Sequence, residues 1–140
     1  MTPAWALTAT PGCLSLPCTF PAPPVLKNHH VHRIVSWARL RPVKDEAIVI
    51  ARHAKRDARS AGWHLPIVDL VDVVLIWAVT DNKRRDASSS QPTLEAYIDG
   101  LVEGGLLLDD NTNIVARAYC VIERQAARRV HVEIRRAAAA

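Results

Sequence analysis

The chain has 140 residues, of which 49% are hydrophobic and 23% charged, so wholesale disorder is excluded and one domain with a real core is expected. Its formal net charge of +4 suits an anionic partner without requiring one. Three cysteines (Cys13, Cys18 and Cys120) without CxxC spacing point to free, reduced thiols rather than zinc. No apolar run is long enough to cross a bilayer, and the N-terminus lacks the charged region of a signal peptide.

Residues 1–12 read as a loose, flexible N-terminal extension. Cys13 to Phe20 suits a strand, with Pro17 confining it to an edge or bulge. Pro21, Pro23 and Pro24 impose an extended or turning path. The stretch Lys27-Asn28-His29-His30-Val31-His32-Arg33 has no clear period and reads as a functional loop or a helix entry. A helix is predicted from about Val43 to Ser60, with Ala47, Ile48, Ala51, Ala54 and Ala58 on one face and Arg52, Lys55, Arg56 and Arg59 on another. Gly62 supplies its stop signal.

Asp69 to Thr80 is the clearest strand, β-branched and apolar on both faces as a central strand should be. Ala87 to Gln91 reads as a Ser-rich loop. A second helix then begins at Pro92, where the missing donor costs nothing, and ends at Gly104-Gly105. Leu94, Ile98, Leu101 and Val102 form its apolar stripe, and Glu95, Asp99 and Glu103 an acidic one. Leu106 to Leu108 leads back into the core. Strands are expected over Ile114–Glu123 and Arg129–Arg135, joined by a hairpin loop at Arg124–Arg128, with a frayed tail over 137–140. The order strand, helix, strand, helix, strand, strand predicts an α+β fold: a small mixed β-sheet with two covering helices.

The chemistry-bearing residues concentrate between Lys83 and Asp110. Lys83, Arg84 and Arg85 adjoin Asp86, and Asp109-Asp110 follows one short helix later. Basic groups that hold a phosphate, with carboxylates that hold a divalent cation, are what phosphodiester chemistry needs. The expectation is that a strand-out, helix-back path brings Asp86 and Asp109-Asp110 to one edge of the sheet. The plainer reading makes Asp86 a loop cap and Asp109-Asp110 a turn. The Arg52-to-Arg59 face suits phosphate contacts or is simply solvated. Ser88, Ser89 and Ser90 lack the elbow motif of a serine hydrolase.

The segment R-R-D-A-S-S-S-Q-P-T-L-E-A-Y-I-D-G-L-V-E-G-G-L-L-L-D-D resembles the core motif of the RusA family of Holliday junction resolvases, carried by phages and prophages. That motif runs R-R-D-x-D-N-L, then K-x-x-x-D within a helix, then G-x-x-x-D-D. The upstream P-P-V-L-K-N-H-H-V-H is similar to the family's P-P-x-x-N-x-R-x-H stretch, so the resemblance covers roughly residues 14 to 135 within an expected domain of 13–136.

The resemblance implies a homodimeric, Mg²⁺-dependent endonuclease, with Mn²⁺ as a substitute metal and no small-molecule cofactor. It would make paired symmetric nicks in four-way branched DNA during recombination and repair, in the bacterial cytoplasm, with no membrane partner. On this chain the implied catalytic and metal-binding residues are Asp86, Asp109 and Asp110; Glu95, one turn inside the helix, is a replacement carboxylate ligand suggested by its own position rather than by the family pattern. Asp99 and Ser88 stand behind them. Lys83, Arg84, Arg85, Asn28, His32, Arg52, Lys55, Arg56 and Arg59 would contact DNA. Three positions depart from the pattern: Ser88 stands for the second aspartate, Glu95 for the lysine and His30 for an arginine. Losing a carboxylate weakens a metal site, and reversing the lysine's charge removes a stabiliser of phosphate charge. The alternative expectation is therefore a junction-binding protein with weakened or lost cleavage. A structural domain with no DNA role is a third.

Overall fold

The computed structural model describes residues 6–26 and 33–137. In chain order these form β1 (Thr8–Ala9), β2 (Cys13–Pro17), α1 (Arg33–Ser60), β3 (Val71–Val79), a 3-10 turn (Ala87–Ser90), α2 (Gln91–Glu103), β4 (Val115–Arg124) and β5 (Arg129–Arg136). The result is a mixed α+β architecture: one five-stranded mixed sheet, ordered β1-β2-β5-β3-β4, with two helices against it. No helix among the described residues is long and apolar enough to cross a membrane.

β3 is buried along its whole length. Val71, Val73, Leu75, Trp77 and Val79 face the helices, joined by Leu14, Leu16, Cys120, Val130, Val132 and Ile134 from the flanking strands. On the other face, Val74, Ile76 and Ala78 are equally buried, although no helix covers them. Long side chains lie across that side, among them Arg117, which is paired to Asp72 (2.6 Å) and lies over the Tyr119 ring.

Helix α1 buries Val43, Ala47, Ala51, Ala54 and Ala58, and α2 buries Leu94, Tyr97, Ile98 and Leu101. The two helices run in the same direction at very short range. A Cβ added at Gly100 would lie 2.4 Å from the Lys44 carbonyl oxygen and 2.5 Å from Ala47 Cβ. One added at Gly104 would lie 2.7 Å from Ala51 Cβ and 2.8 Å from the Ile48 carbonyl oxygen. Glycine on one helix against alanine on the other thus sets the interhelical distance.

Both helices stop the same way. Gly62 (φ 96°) and Gly105 (φ 81°) adopt left-handed backbone. The N–H of Gly62 donates to Arg59 and that of Trp63 to Ala58, while Gly105 donates to Val102 and Leu106 to Leu101. This is the double hydrogen bond of a Schellman stop, which glycine makes without steric cost.

Four features differ from the sequence reading. α1 begins at Arg33, well before Val43, and runs through Pro42. In its first half Trp37, Ala38, Arg39 and Arg41 are all exposed, so these residues gave no periodic signal. Within the leading segment, Thr8 and Ala9 pair with Ser15 and Leu14, and the Trp63 indole N–H donates to the Thr10 carbonyl at 2.7 Å. The Ser-rich loop at Ala87–Ser90 is a 3-10 turn. Finally, β4 and β5 form no hairpin. They lie on opposite sides of β3, β4 parallel to it and β5 antiparallel. Residues 125–128 cross the end of β3, where the Gln125 N–H donates to the Val79 carbonyl at 2.8 Å.

Candidate nucleic-acid interface

Two ends of the sheet must be kept apart. β3 delivers the chain at Val79 into the Asp81–Asp86 loop, and α2 then carries it back. At the far end, Ile67 bridges Leu107 and the Val71 N–H donates to the Ile114 carbonyl. Asp86 follows the loop that leaves β3, and Asp109-Asp110 lie on the segment that leads into β4 beside Val71. α2 starts over the sheet, where the Gln91 amide donates to the Ala118 carbonyl at 3.2 Å, and Ala118 pairs with Val73 of β3. Among the described residues no group of three or more His, Cys, Asp or Glu side chains is placed to hold a metal.

Each carboxylate has local work instead. Asp86 Oδ1 accepts from the Ser88 N–H (3.1 Å) and the Ser88 hydroxyl (2.9 Å), capping the 3-10 turn. Ser88 orients Asp86 by these bonds. Asp109 Oδ1 accepts from the Asp110 N–H at 2.7 Å and Oδ2 from the Asn111 amide at 3.1 Å, while Asn111 accepts from the Asn113 N–H at 2.9 Å. The backbone bond from Asp110 holds the Asp109 carboxyl below its usual range. The hydrogen bond to Asp109, then desolvation and the charges of Asp109 and Asp99, push the Asp110 carboxyl up.

Glu95 and Asp99 lie on α2. With Glu103 they line a groove of about 650 Å³ between α2 and the first half of α1, facing Trp37, Leu40, Arg41, Lys44, Asp45 and Ile48. Lys44 pairs with Glu103 at 3.0 Å.

The basic residues are better organised than the acids. Arg85 is locked: its two terminal nitrogens reach Asp81 Oδ1 (2.6 Å) and Oδ2 (3.1 Å), and its guanidinium lies 5.3 Å from the Trp77 ring centre. The Lys83 backbone N–H also donates to Asp81 at 3.0 Å. A bidentate, ring-stacked arginine fixes the loop. Lys83 and Arg84 are both exposed on it, and neither side chain has an ion pair among the described residues. Sequence reasoning missed the three arginines that complete this edge. Arg124 donates to Asn82 at 2.6 Å, Arg129 donates to Gln125, and exposed Arg128 sits on the crossing segment between them. The sequence signal was R-Q-A-A-R-R, read there only as a hairpin loop.

The second basic surface, Arg52, Lys55, Arg56 and Arg59, lies on the last turns of α1. Lys55 Nζ stands 2.8 Å from the Cβ position of Gly105, which puts this stripe at the Asp109-Asp110 end of the sheet. Asn28 and His32 lie outside the described residues.

The Arg85 clamp gives a pH dependence. The side-chain bond from Arg85, followed by the backbone bond from Lys83, depresses the Asp81 pKa. A depressed carboxyl contributes stability above its ordinary pKa and loses it as pH falls through the folded value. Asp81→Asn should therefore melt below wild type at neutral pH. The gap should close progressively below about pH 4, as read by circular dichroism melts across pH. A gap independent of pH would show that the clamp does not depend on the Asp81 charge.

No protein-family model matches the chain, and no curated protein matches it.

Proposed function

We propose that this protein is a RusA-type branched-DNA-binding protein, working as a homodimer on four-way junctions, in which the cleavage chemistry is weakened or lost. The observation that carries the DNA reading is the edge beyond β3, where Lys83 and Arg84 extend from a loop fixed by Arg85 and Asp81, with Arg124, Arg128 and Arg129 alongside. Phosphate contacts need charge and reach on a rigid frame, and this edge has both. Ser88 and Glu95, which stand in place of the pattern's aspartate and lysine, support binding ahead of cleavage.

The Mg²⁺-dependent endonuclease implied by the resemblance is the second reading. Its support is the Asp109-Asp110 pair, whose mutual repulsion, enlarged by Asp99, a cation would relieve. A synthetic four-way junction separates the two. The proposed protein shifts the junction in a gel at low salt in preference to linear duplex, without nicking it in Mg²⁺ or Mn²⁺. Paired nicks abolished by Asp110→Asn would reinstate the endonuclease, and failure to bind at low salt would defeat both.

A further inference from the structure

Among the described strands β4 lies at the edge of the sheet, and its outer edge has a self-complementary sequence. Two hydrogen bonds establish which residues face outward. The Gln125 N–H points at Val79 in β3, while the Ala118 carbonyl accepts from the Gln91 side-chain amide, which lies away from β3. Because the N–H and C=O of one strand residue point the same way and alternate along the strand, Arg117, Tyr119, Val121 and Glu123 bond toward β3. Ala118, Cys120, Ile122 and Arg124 present their backbone groups outward. A row of outward backbone groups on a strand of ten residues is a template for another strand.

We infer that β4 pairs antiparallel with β4 of a second copy, with the two-fold axis at Cys120, to make one continuous ten-stranded sheet. In that register Arg117 faces the partner's Glu123, and Tyr119 faces the partner's Val121. All four of these side chains lie on the face that no helix covers. On the helix side Ala118 meets the partner's Ile122. Residues 117–123 (R-A-Y-C-V-I-E) therefore place opposite charges at both ends, an aromatic against a β-branched residue inside them, and apolar groups on the reverse face. Each is a favourable cross-strand pair. Moving the axis by one residue sets Arg117 against Val121 or Gln125 and loses both charge pairs. The Arg117 side chain is 69% exposed and retains donors beyond those used by Asp72, so it can bridge the two. The Gln91 amide on the Ala118 carbonyl protects the edge of the lone chain and gives way to the partner's Ile122 N–H. The pairing is isologous, so it closes at two copies.

This inference deepens the homodimer reading above by naming its surface, and it is tested apart from DNA. Sedimentation of the full chain over a concentration series should show a species of twice 15.5 kDa. Glu123→Arg sets arginine against arginine at both ends and should raise the dimer dissociation constant about tenfold or more. Arg117→Glu sets glutamate against glutamate and should do the same. Mixing the two variants restores both charge pairs and should recover the dimer as a heterodimer. Ala118→Pro removes an outward N–H that β3 does not use, so it should give a folded monomer whose melting temperature matches that of the wild type diluted to the monomer. A monomeric wild type at every concentration overturns the inference. So does a dimer that survives both Glu123→Arg and Ala118→Pro, which would assign dimerisation to another face while leaving junction binding to be scored separately.

Discussion

Gly100→Ala lowers the unfolding free energy by about 3 kcal/mol, and Gly100→Val leaves no stably folded protein at 37 °C. Those are the results expected from the seam between α1 and α2. The new methyl would sit 2.4 Å from a backbone carbonyl oxygen of Lys44, and a helix backbone cannot step aside as a side-chain tip can. Relief requires the helices to part, which opens the contacts of Ala47, Ala51, Leu101 and Tyr97, all buried to 0% exposure. Overpacking of this kind costs about 1–3 kcal/mol when neighbours can adjust, and more when they cannot. In a chain of this length the alanine variant should melt roughly 10 °C lower by calorimetry. Gly12→Ala is the control. It has open space around its Cβ position and should stay within about 0.5 kcal/mol of wild type. If the Gly100 and Gly12 variants melt alike, the seam does not set the helix spacing.

The second large effect concerns DNA. The double variant Lys83→Ala/Arg84→Ala should weaken junction binding by at least about tenfold at 0.1 M-scale salt, and should flatten the salt dependence by roughly two units of logarithmic slope, one per lost phosphate contact. Its melting temperature should not move, because neither side chain has an ion pair among the described residues. Arg85→Ala should behave differently: it removes a bidentate bond to Asp81 and a stack on Trp77, so stability and affinity should fall together. An unchanged salt slope in the double variant, measured by fluorescence anisotropy, would place the DNA surface elsewhere.

How much of this was legible in the sequence depended on the kind of signal. β3 was readable because nine consecutive buried positions leave a run of β-branched and aromatic residues that no loop would carry. α2 was readable from its apolar stripe and its terminal glycines. The first third of α1 was not, since its exposed Trp37, Arg39 and Arg41 obey no period and Pro42 reads as a start. The β4–β5 connection misled because a four-residue gap between two strands is a hairpin in most sheets, whereas here it straddles a third strand. The candidate site suffered from the same limit. Sequence spacing puts Asp86 and Asp110 one helix apart but gives no sign that Arg124 reaches the loop after β3, where it donates to Asn82, with Arg128 and Arg129 following it.

The position of β5 has a consequence for how the chain reaches its native state. Residues 129–136 are the last strand in sequence, yet they occupy the middle of the sheet, hydrogen-bonded to β2 on one side and β3 on the other. Until they are made, β1 and β2 have no neighbour to join, and β3 has one edge bare. A nascent chain emerging N-terminus first therefore holds two unfinished pieces of sheet until their closing element, made after both, follows. Contacts that bridge more than a hundred residues, such as Leu14 with Ile134, form slowly and late. A chain cut just before Arg129 should retain the α1–α2–β3–β4 packing only as an aggregation-prone fragment, with a full strand edge open to solvent.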